Sequence, residues 1–444
     1  MENELIKGKV LKALIKFAIP IFAALFLQSL YGGADLLIVG QFAQTTDVSG
    51  VSTGTVLMQM VTMVITGLAM GITVYLGQKI GQGKRDEAGK AVGAGICLFA
   101  VIAIILTIIL FGFAEPIAKL LHTPIEAFEP TVAYIRTCGL GMVFVVFYNL
   151  IGATFRGMGD SKTPLLTVLV AGIVNIVGDL ILVSIFHLGA LGAAIATVFA
   201  QAISVIISVL IIRKKQLPFI YKKEYTCFDF KIIKSELHVG IPVALQELLV
   251  GLSFVVIQSS VNAIDVIASA GVGVAEKVCA FIMLVPSAYS QAISAFVAQN
   301  VGAGEHGRAR KALKYGILTS LCVAMVIATF TFIRGDLLAG IFSKDIEVIL
   351  QAHNYLKAYA IDTFLTSIMF CFVGYYNGYG KTFFVMIQGM VGAVLVRMPV
   401  VLFMSSIEGV SLFQIGLANP VSSIVQIILC LLYMKFTDRK RKLS

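Results

Sequence analysis

Charge is scarce in this chain. Asp, Glu, Lys and Arg make up 13% of the 444 residues, against 58% hydrophobic residues. With a mean hydropathy of +0.95, this is more apolar surface than a soluble core of that length needs. Histidine is rarer still: His122, His187, His238, His306 and His353 all fall outside predicted helix centres, so a histidine proton relay has no support. Cys97, Cys138, Cys227, Cys279, Cys322, Cys371 and Cys430 form no CxxC pair and have no histidine at ligand spacing. That argues against a disulfide frame or a structural metal. Small apolar positions in helices account for them. An intramembrane enzyme would need a nucleophile and base, or a metal motif such as HExxH, which does not occur. Neither enzymatic chemistry nor a cofactor is expected.

Long apolar sequence is what the chain has in quantity. Runs such as LCVAMVIATFTFI and VFVVFYNLIGATF recur, and membrane spans are their natural place. Hydropathy predicts twelve helices, at about 13–40, 52–76, 89–113, 132–155, 164–186, 190–212, 237–262, 270–297, 312–334, 355–377, 382–406 and 409–434. Each can cross ~30 Å at 1.5 Å per residue. The opening MENELIKGKVLKALIKFAIPIF runs straight into a span containing Pro20 and reads as a retained first helix, not a signal peptide.

Lys and Arg set the orientation. Lys7, Lys9, Lys12 and Lys16 precede the first span, the even-numbered connections are basic, and Arg439, Lys440, Arg441 and Lys442 close the chain. The odd-numbered connections carry little beyond Lys119 and Lys344, and they hold Asp47, Glu126, Asp265 and Asp345. Both termini are therefore expected in the cytoplasm, with the protein in the plasma or inner membrane. The net charge of +10 is explained by orientation, not by nucleic-acid binding.

The chain repeats itself. GQKIGQGKRDEAGKA (77–91) matches AQNVGAGEHGRARKA (298–312), pairing Gly81 with Gly302, Gly83 with Gly304 and Lys90 with Lys311 at an offset of 302 − 81 = 221. Tyr134-Ile-Arg pairs with Tyr355-Leu-Lys, and Gly157-x-Gly159 with Gly378-x-Gly380, at that offset; Ile19-Pro20 matches Ile241-Pro242. Six helices per half give both halves the same orientation, hence parallel repeats. The expected division is an N-terminal lobe 1–212, a cytoplasmic linker 213–236 and a C-terminal lobe 237–444. Both halves come from one chain, so a monomer is expected. The layout is that of a transporter; no filter-like segment suggests a channel. The segment Gly83-KRDEA-Gly89-Lys90-Ala91 is no phosphate loop: five residues separate the glycines where four are needed, Ala91 replaces Ser or Thr, and it joins two helices.

Two carboxylates stand out. Asp35 and Asp179 lie inside predicted spans, where insertion of a charge costs at least ~2.5–3.5 kcal/mol, so such residues usually face a polar cavity. Asp35 lies about 9 Å and Asp179 about 12 Å from the outer helix ends, with Thr197 about 9 Å down the sixth helix. Asn175 is one turn from Asp179 on the same face. These four side chains share one layer, and their oxygens suit a proton or a hard cation such as sodium. A purely structural role, hydrogen-bonded within the bundle, is the alternative.

With the segment SLYGGADLLIVGQFA, the paired loops GQGKRDEAGKA and GAGEHGRARKA, and Asn175-x-x-x-Asp179 followed by Thr197, the chain resembles the multidrug and toxic compound extrusion (MATE) family over nearly its whole length. The four-residue layer looks like the N-lobe cation site of the DinF-like branch. The resemblance implies an all-α membrane protein, with twelve helices in two six-helix repeats. It also implies antiport, in which protons or sodium ions at Asp35 and Asp179 are exchanged for bulky, often cationic and aromatic, compounds. Other branches place coupling carboxylates on helices seven and ten, where Glu247 and Asp362 stand here. Lys277 and Arg397 are expected at a similar depth to Asp362, forming either a static ion-pair cluster or a gate or substrate contact.

Gln28, Gln59, Asn149, Gln201 and Gln258, with Tyr31, Phe147, Tyr148 and Tyr376, are candidates to line a drug cavity, and aromatic faces suit flat cations. Ordinary interhelical packing is the alternative for each. A lipid-linked oligosaccharide flippase is the rival reading. It would need a cavity rich in Lys and Arg for pyrophosphate, and only Lys277 and Arg397 offer that.

Overall fold

A computed structural model describes residues 4–262, 265–407 and 409–443; the side chains of Glu4 and of 440–443 fall outside the description. The expected orienting charges of Lys440, Arg441 and Lys442, and the outer ends of the expected lobes, therefore lie outside the described side chains or residues.

Among the described residues all regular elements are helical. Eleven helices are long and apolar enough to span a membrane, and one bent pair makes twelve. In chain order they are α1 (Val10–Phe42), α2 (Thr45–Gly81), α3 (Arg85–Gly112), the bent α4 (Ile125–Leu140 and Met142–Met158), α5 (Lys162–Ile185) and α6 (Gly189–Lys214). The second set is α7 (Phe230–Asn262), α8 (Val266–Gly302), α9 (His306–Gly340), α10 (Ile346–Gly378), α11 (Thr382–Ser405) and α12 (Leu412–Arg439). Helix is the natural outcome for these runs, because a backbone in hydrocarbon must satisfy its own hydrogen bonds. On α3, Ile104, Ile105, Ile108 and Ile109 are exposed at helical spacing, which suits contact with lipid tails. The bend of 53° in α4 falls at Gly141.

The repeat is visible in the backbone. Gly83 and Gly304 have φ of 73° and 78°, Gly159 and Gly380 of 84° and 71°. Each pair stands at the 221 offset, in a turn that only glycine adopts without penalty. Pro20 in α1 and Pro242 in α7 repeat as well.

α7 begins at Phe230, inside the segment expected to be linker. Asp229 accepts hydrogen bonds from the backbone N–H of Lys231 (3.0 Å) and Ile232 (3.1 Å), capping the helix. Ile232 and Ile233 pack on Ala91 and Ala94 of α3. One apolar stripe on an otherwise polar first turn is invisible to a hydropathy window. The remainder of the linker is held against α3. Tyr225 donates its hydroxyl to Asp86 (2.7 Å), Ile220 N–H bonds the Arg85 carbonyl (3.2 Å), and Lys90 and Lys222 lie 5.7 and 5.8 Å from the Tyr225 ring centre. At the start of α5, Asp160 accepts from Lys162 and Thr163 N–H and receives Lys215 Nζ at 2.5 Å. Burial opposes its ionisation, but the Lys215 and Thr163 hydrogen bonds outweigh it and hold the carboxyl below the ordinary aspartate range.

The contacts divide the chain into two units. The first contains Ile19–Ala244 and Ala298–Gly304; the second contains Gly8–Ala18, Leu245–Val297 and the chain from Glu305 onward. The first unit is centred on Ile65, Phe99, Ile135, Met142 and Leu150. The second is centred on Val272, Ala275, Tyr355, Leu356 and Val401, with α10 its most enclosed span.

Candidate functional site

In the first unit Asp35, Asn175 and Asp179 are buried, at 6%, 2% and 0% exposure, and Thr197 is half-buried. Asn175 Nδ2 donates to Thr197 Oγ1 at 3.5 Å. The Asp35 and Asp179 carboxyl groups lie within interaction range of each other. Yet Asp35 Oδ1 and both Asp179 carboxylate oxygens accept no hydrogen bond. Among the described residues neither group has a Lys or Arg partner. A buried charge without a partner is costly, and a proton on the pair or a cation beside it removes that cost.

Asp179 ends the regular α-helical part of α5, and the chain continues as a π-helical segment, Leu180–Ile185. Such wide turns often accompany functional side chains. No residue in the local sequence announces this one.

Two further members were not singled out as site residues from sequence. Tyr134 and Cys138 on α4 lie within electrostatic reach of Asp35, and the Tyr134 hydroxyl is 3.3 Å from Thr55 Oγ1. Tyr134 served only as a repeat marker, and Cys138 was grouped with the other cysteines. Gly54 makes room for Tyr134, since a Cβ there would collide with the ring. Gly50-Val51-Ser52-Thr53-Gly54 has the spacing of a hydrolase nucleophile motif. It lies within α2, not at a strand-to-helix turn, and its glycines seat Pro130 and Tyr134 of α4. It is a packing face.

Of the cavity candidates, Tyr31 stands one turn before Asp35, over Gly172 and within reach of Tyr148 and Gln28. Gln201 Oε1 is buried without a partner. Asn149 is engaged between helices: it accepts from Thr66 (3.0 Å) and donates to the Val145 carbonyl (2.9 Å).

The second unit departs from expectation. Arg397 is 6% exposed, donates Nη1 to Ser253 (2.9 Å) and lies 4.9 Å from the Phe254 ring centre. It ends a second π-helical segment, Val391–Arg397, on the helix that repeats α5. Asp362, 4% exposed, lies within reach of Ser423, Thr366 and the Arg397 charge, but its Oδ1 accepts nothing. The ion pair expected among Asp362, Arg397 and Lys277 is not formed among the described residues. Lys277 is exposed and faces Phe342, 5.9 Å from the ring centre. Its neighbour Glu276 turns inward toward Cys279 and Tyr355, with Oε1 unpartnered. Successive helical residues point about 100° apart, so the two cannot share a face. This half buries Asp362 within reach of a guanidinium and holds Glu276 half-buried. Glu247 is half-buried on α7. Gln258 is not free to line a cavity, since its Nε2 donates to Asn262 (2.8 Å) and Ser269 (3.3 Å). Tyr376 donates to the Cys430 carbonyl (2.7 Å) within an aromatic cluster with Phe384 and Tyr433.

A duplicated six-helix array with buried, unpaired carboxyl groups defines a multi-pass membrane protein of the transporter class. The MatE family matches twice, over residues 20–181 and 242–403, and the chain belongs to that family. The two matches are offset by 242 − 20 = 222, in agreement with the internal repeat. The probable multidrug resistance protein YoeA of Bacillus subtilis is 23% identical, covering 99% of this chain and 96% of that protein. An FAD transporter of Shewanella oneidensis is 27% identical, covering 83% of each. A multidrug resistance MATE family transporter in an outward-facing conformation shares the fold, with a TM-score of 0.92, 18% identity and coverage of 99% and 98%.

Proposed function

We propose that the protein is a multidrug exporter of the cell membrane. It expels bulky, often cationic and aromatic, compounds in exchange for protons or sodium ions taken up at Asp35 and Asp179. The observation that carries this reading is the carboxyl pair itself, buried within interaction range of each other with no Lys or Arg partner among the described residues. Asn175 and Thr197 supply neutral oxygens to the same layer. Uptake of a cation drives the cycle only if it binds one conformation more tightly than the other. Neutralising the pair allows α1, α5 and α6 to pack more closely, and the drug leaves as its space shrinks. Tyr31, Gln28 and Gln201 then serve as drug contacts close to the pair. Both chain termini lie in the cytoplasm on this reading, and one chain is the working unit.

The test is transport in proteoliposomes under an imposed pH or sodium gradient, comparing wild type with Asp35→Asn and Asp179→Asn. Both variants should remain inserted and folded while gradient-driven efflux falls to background. Wild-type efflux from either one removes the pair from the mechanism.

A second reading, export of a flavin dinucleotide, is favoured by the FAD-transporting relative and by Arg397, whose guanidinium suits a diphosphate. Inhibition of drug efflux by FAD, lost in Arg397→Gln, would select it.

A further inference from the structure

Glu236, on the second turn of α7, is 1% exposed, and among the described residues neither of its carboxylate oxygens has a hydrogen-bond partner. It lies in a seam where the backbones of α2 and α7 meet without side chains between them. A Cβ on Gly71 would collide with the carbonyl of Glu236, one on Gly240 with the carbonyl of Leu68, and one on Gly67 would lie 2.6 Å from Ala244 Cα. One turn further along, Met70, Val74, Val239 and Val243 close the seam with apolar contacts. The titratable groups around Glu236 are Asp229 at the start of its own helix and Tyr75 on α2. Lys79 lies 5.1 Å from the Tyr75 ring centre but pairs with Glu87 of α3 (2.6 Å), and His238 stands two residues along α7.

The repeat shows that the fold does not require an acid here. Ile19-Pro20 matches Ile241-Pro242, and at the same offset of 236 − 14 = 222 the residue corresponding to Glu236 is Leu14, which is fully buried. A leucine fills the slot in one half; in the other half stands a carboxyl group whose charge nothing offsets. Burying such a charge is far costlier than burying the neutral acid. The site has no second oxygen-bearing partner on its carboxylate, as a hard metal cation would require, whereas a proton needs none.

We propose that Glu236 is a second proton-carrying group of the transport cycle, separate from the Asp35–Asp179 pair. It holds a proton while the α2–α7 seam is packed and releases it to water when the seam parts. The inference rests on the antiport reading for its role in turnover, but the protonated state of Glu236 does not.

Two measurements keep these apart. In detergent-solubilised full-length protein, with no drug present, the infrared band of protonated carboxyl groups should lose intensity in Glu236→Gln relative to wild type. An unchanged band overturns the proposal. In proteoliposomes loaded with ethidium, the pH on the side of the 77–91 loop is varied alone. The wild-type rate should then change by up to about tenfold per pH unit, the limit for a single titrating group. Glu236→Gln and Glu236→Leu should flatten this to under about twofold, with Glu236→Leu melting at or above the wild-type temperature. A wild-type pH profile in both variants overturns the proposal, as does a melting temperature several degrees lower in Glu236→Leu. Retention of efflux by Asp35→Asn and Asp179→Asn would fault the antiport reading and leave the infrared result standing.

Discussion

The two units bury charge on different helices, α1 and α5 in the first and α10 and α11 in the second, and surround it differently. In the first, Asp35 and Asp179 lie within interaction range of each other with no Lys or Arg partner among the described residues, and Asn175 donates to Thr197. In the second, buried Asp362 lies within reach of the charge of Arg397, which is anchored by Ser253 and the face of Phe254. A resident guanidinium cannot leave; a proton or sodium ion can. The comparison teaches that duplication preserved the helical frame while the surroundings of the buried acids diverged: a guanidinium stands within reach of Asp362, and among the described residues none partners Asp35 or Asp179. On the proposed antiport, that difference makes the first unit the place where an ion gradient can do work.

The comparison breaks most sharply at the aspartates. Asp179→Asn is expected to abolish gradient-driven efflux while drug binding in detergent persists, as equilibrium dialysis would show. Arg397→Gln comes next. Removing one member of a buried charged group typically costs about 3–5 kcal/mol, so the melting temperature should fall by several degrees. Acidification should restore part of that loss, because protonation then replaces the missing cation. An unchanged melting temperature would mean that Arg397 compensates nothing. Gly54→Ala should cost roughly 1–3 kcal/mol through overpacking against Tyr134. Because Tyr134 sits beside Asp35, the ion concentration for half-maximal transport should also rise, measurable from sodium or proton titrations of efflux.

The smaller effects sharpen the picture. Asp160→Ala removes a helix cap and the Lys215 contact, with an expected cost of about 1 kcal/mol. The folded-state carboxyl titrates below the unfolded one, so this stabilisation is full above the ordinary aspartate range and disappears as pH falls through the folded value. Wild-type and variant melting curves should thus converge in strong acid. Lys277→Gln, at an exposed side chain that faces Phe342, should stay within about 0.5 kcal/mol of wild type and keep full transport. A large loss of efflux in that variant would restore Lys277 to the site.

Much of the architecture was legible in the residues. Twelve apolar runs became helices because a backbone in hydrocarbon has few alternatives, and the matched loops became turns because glycines occupy both left-handed positions. The two aspartates were conspicuous for a related reason: they stand among aliphatic residues, and helical rise converts their positions into an expected depth. The start of α7 was not, since Asp229 and two isoleucines do the work that hydropathy averages away. Glu276 was hidden beside Lys277, because one-dimensional spacing does not say which of two neighbours faces inward.

The sequence by itself determined which segments are long and apolar enough to cross a membrane and that they form a repeat, and it marked Asp35, Asn175, Asp179 and Thr197 as polar residues within those segments. Local rules govern these outcomes: apolar length, glycine conformation and rise per residue. Only the tertiary structure decided which polar groups have partners. That depends on contacts between residues far apart in the chain, such as Asp35 with Asp179, Arg397 with Ser253, and Gly71 against Glu236. Whether a buried charge is compensated is a property of its surroundings, and for this protein the surroundings come from helices distant in the chain.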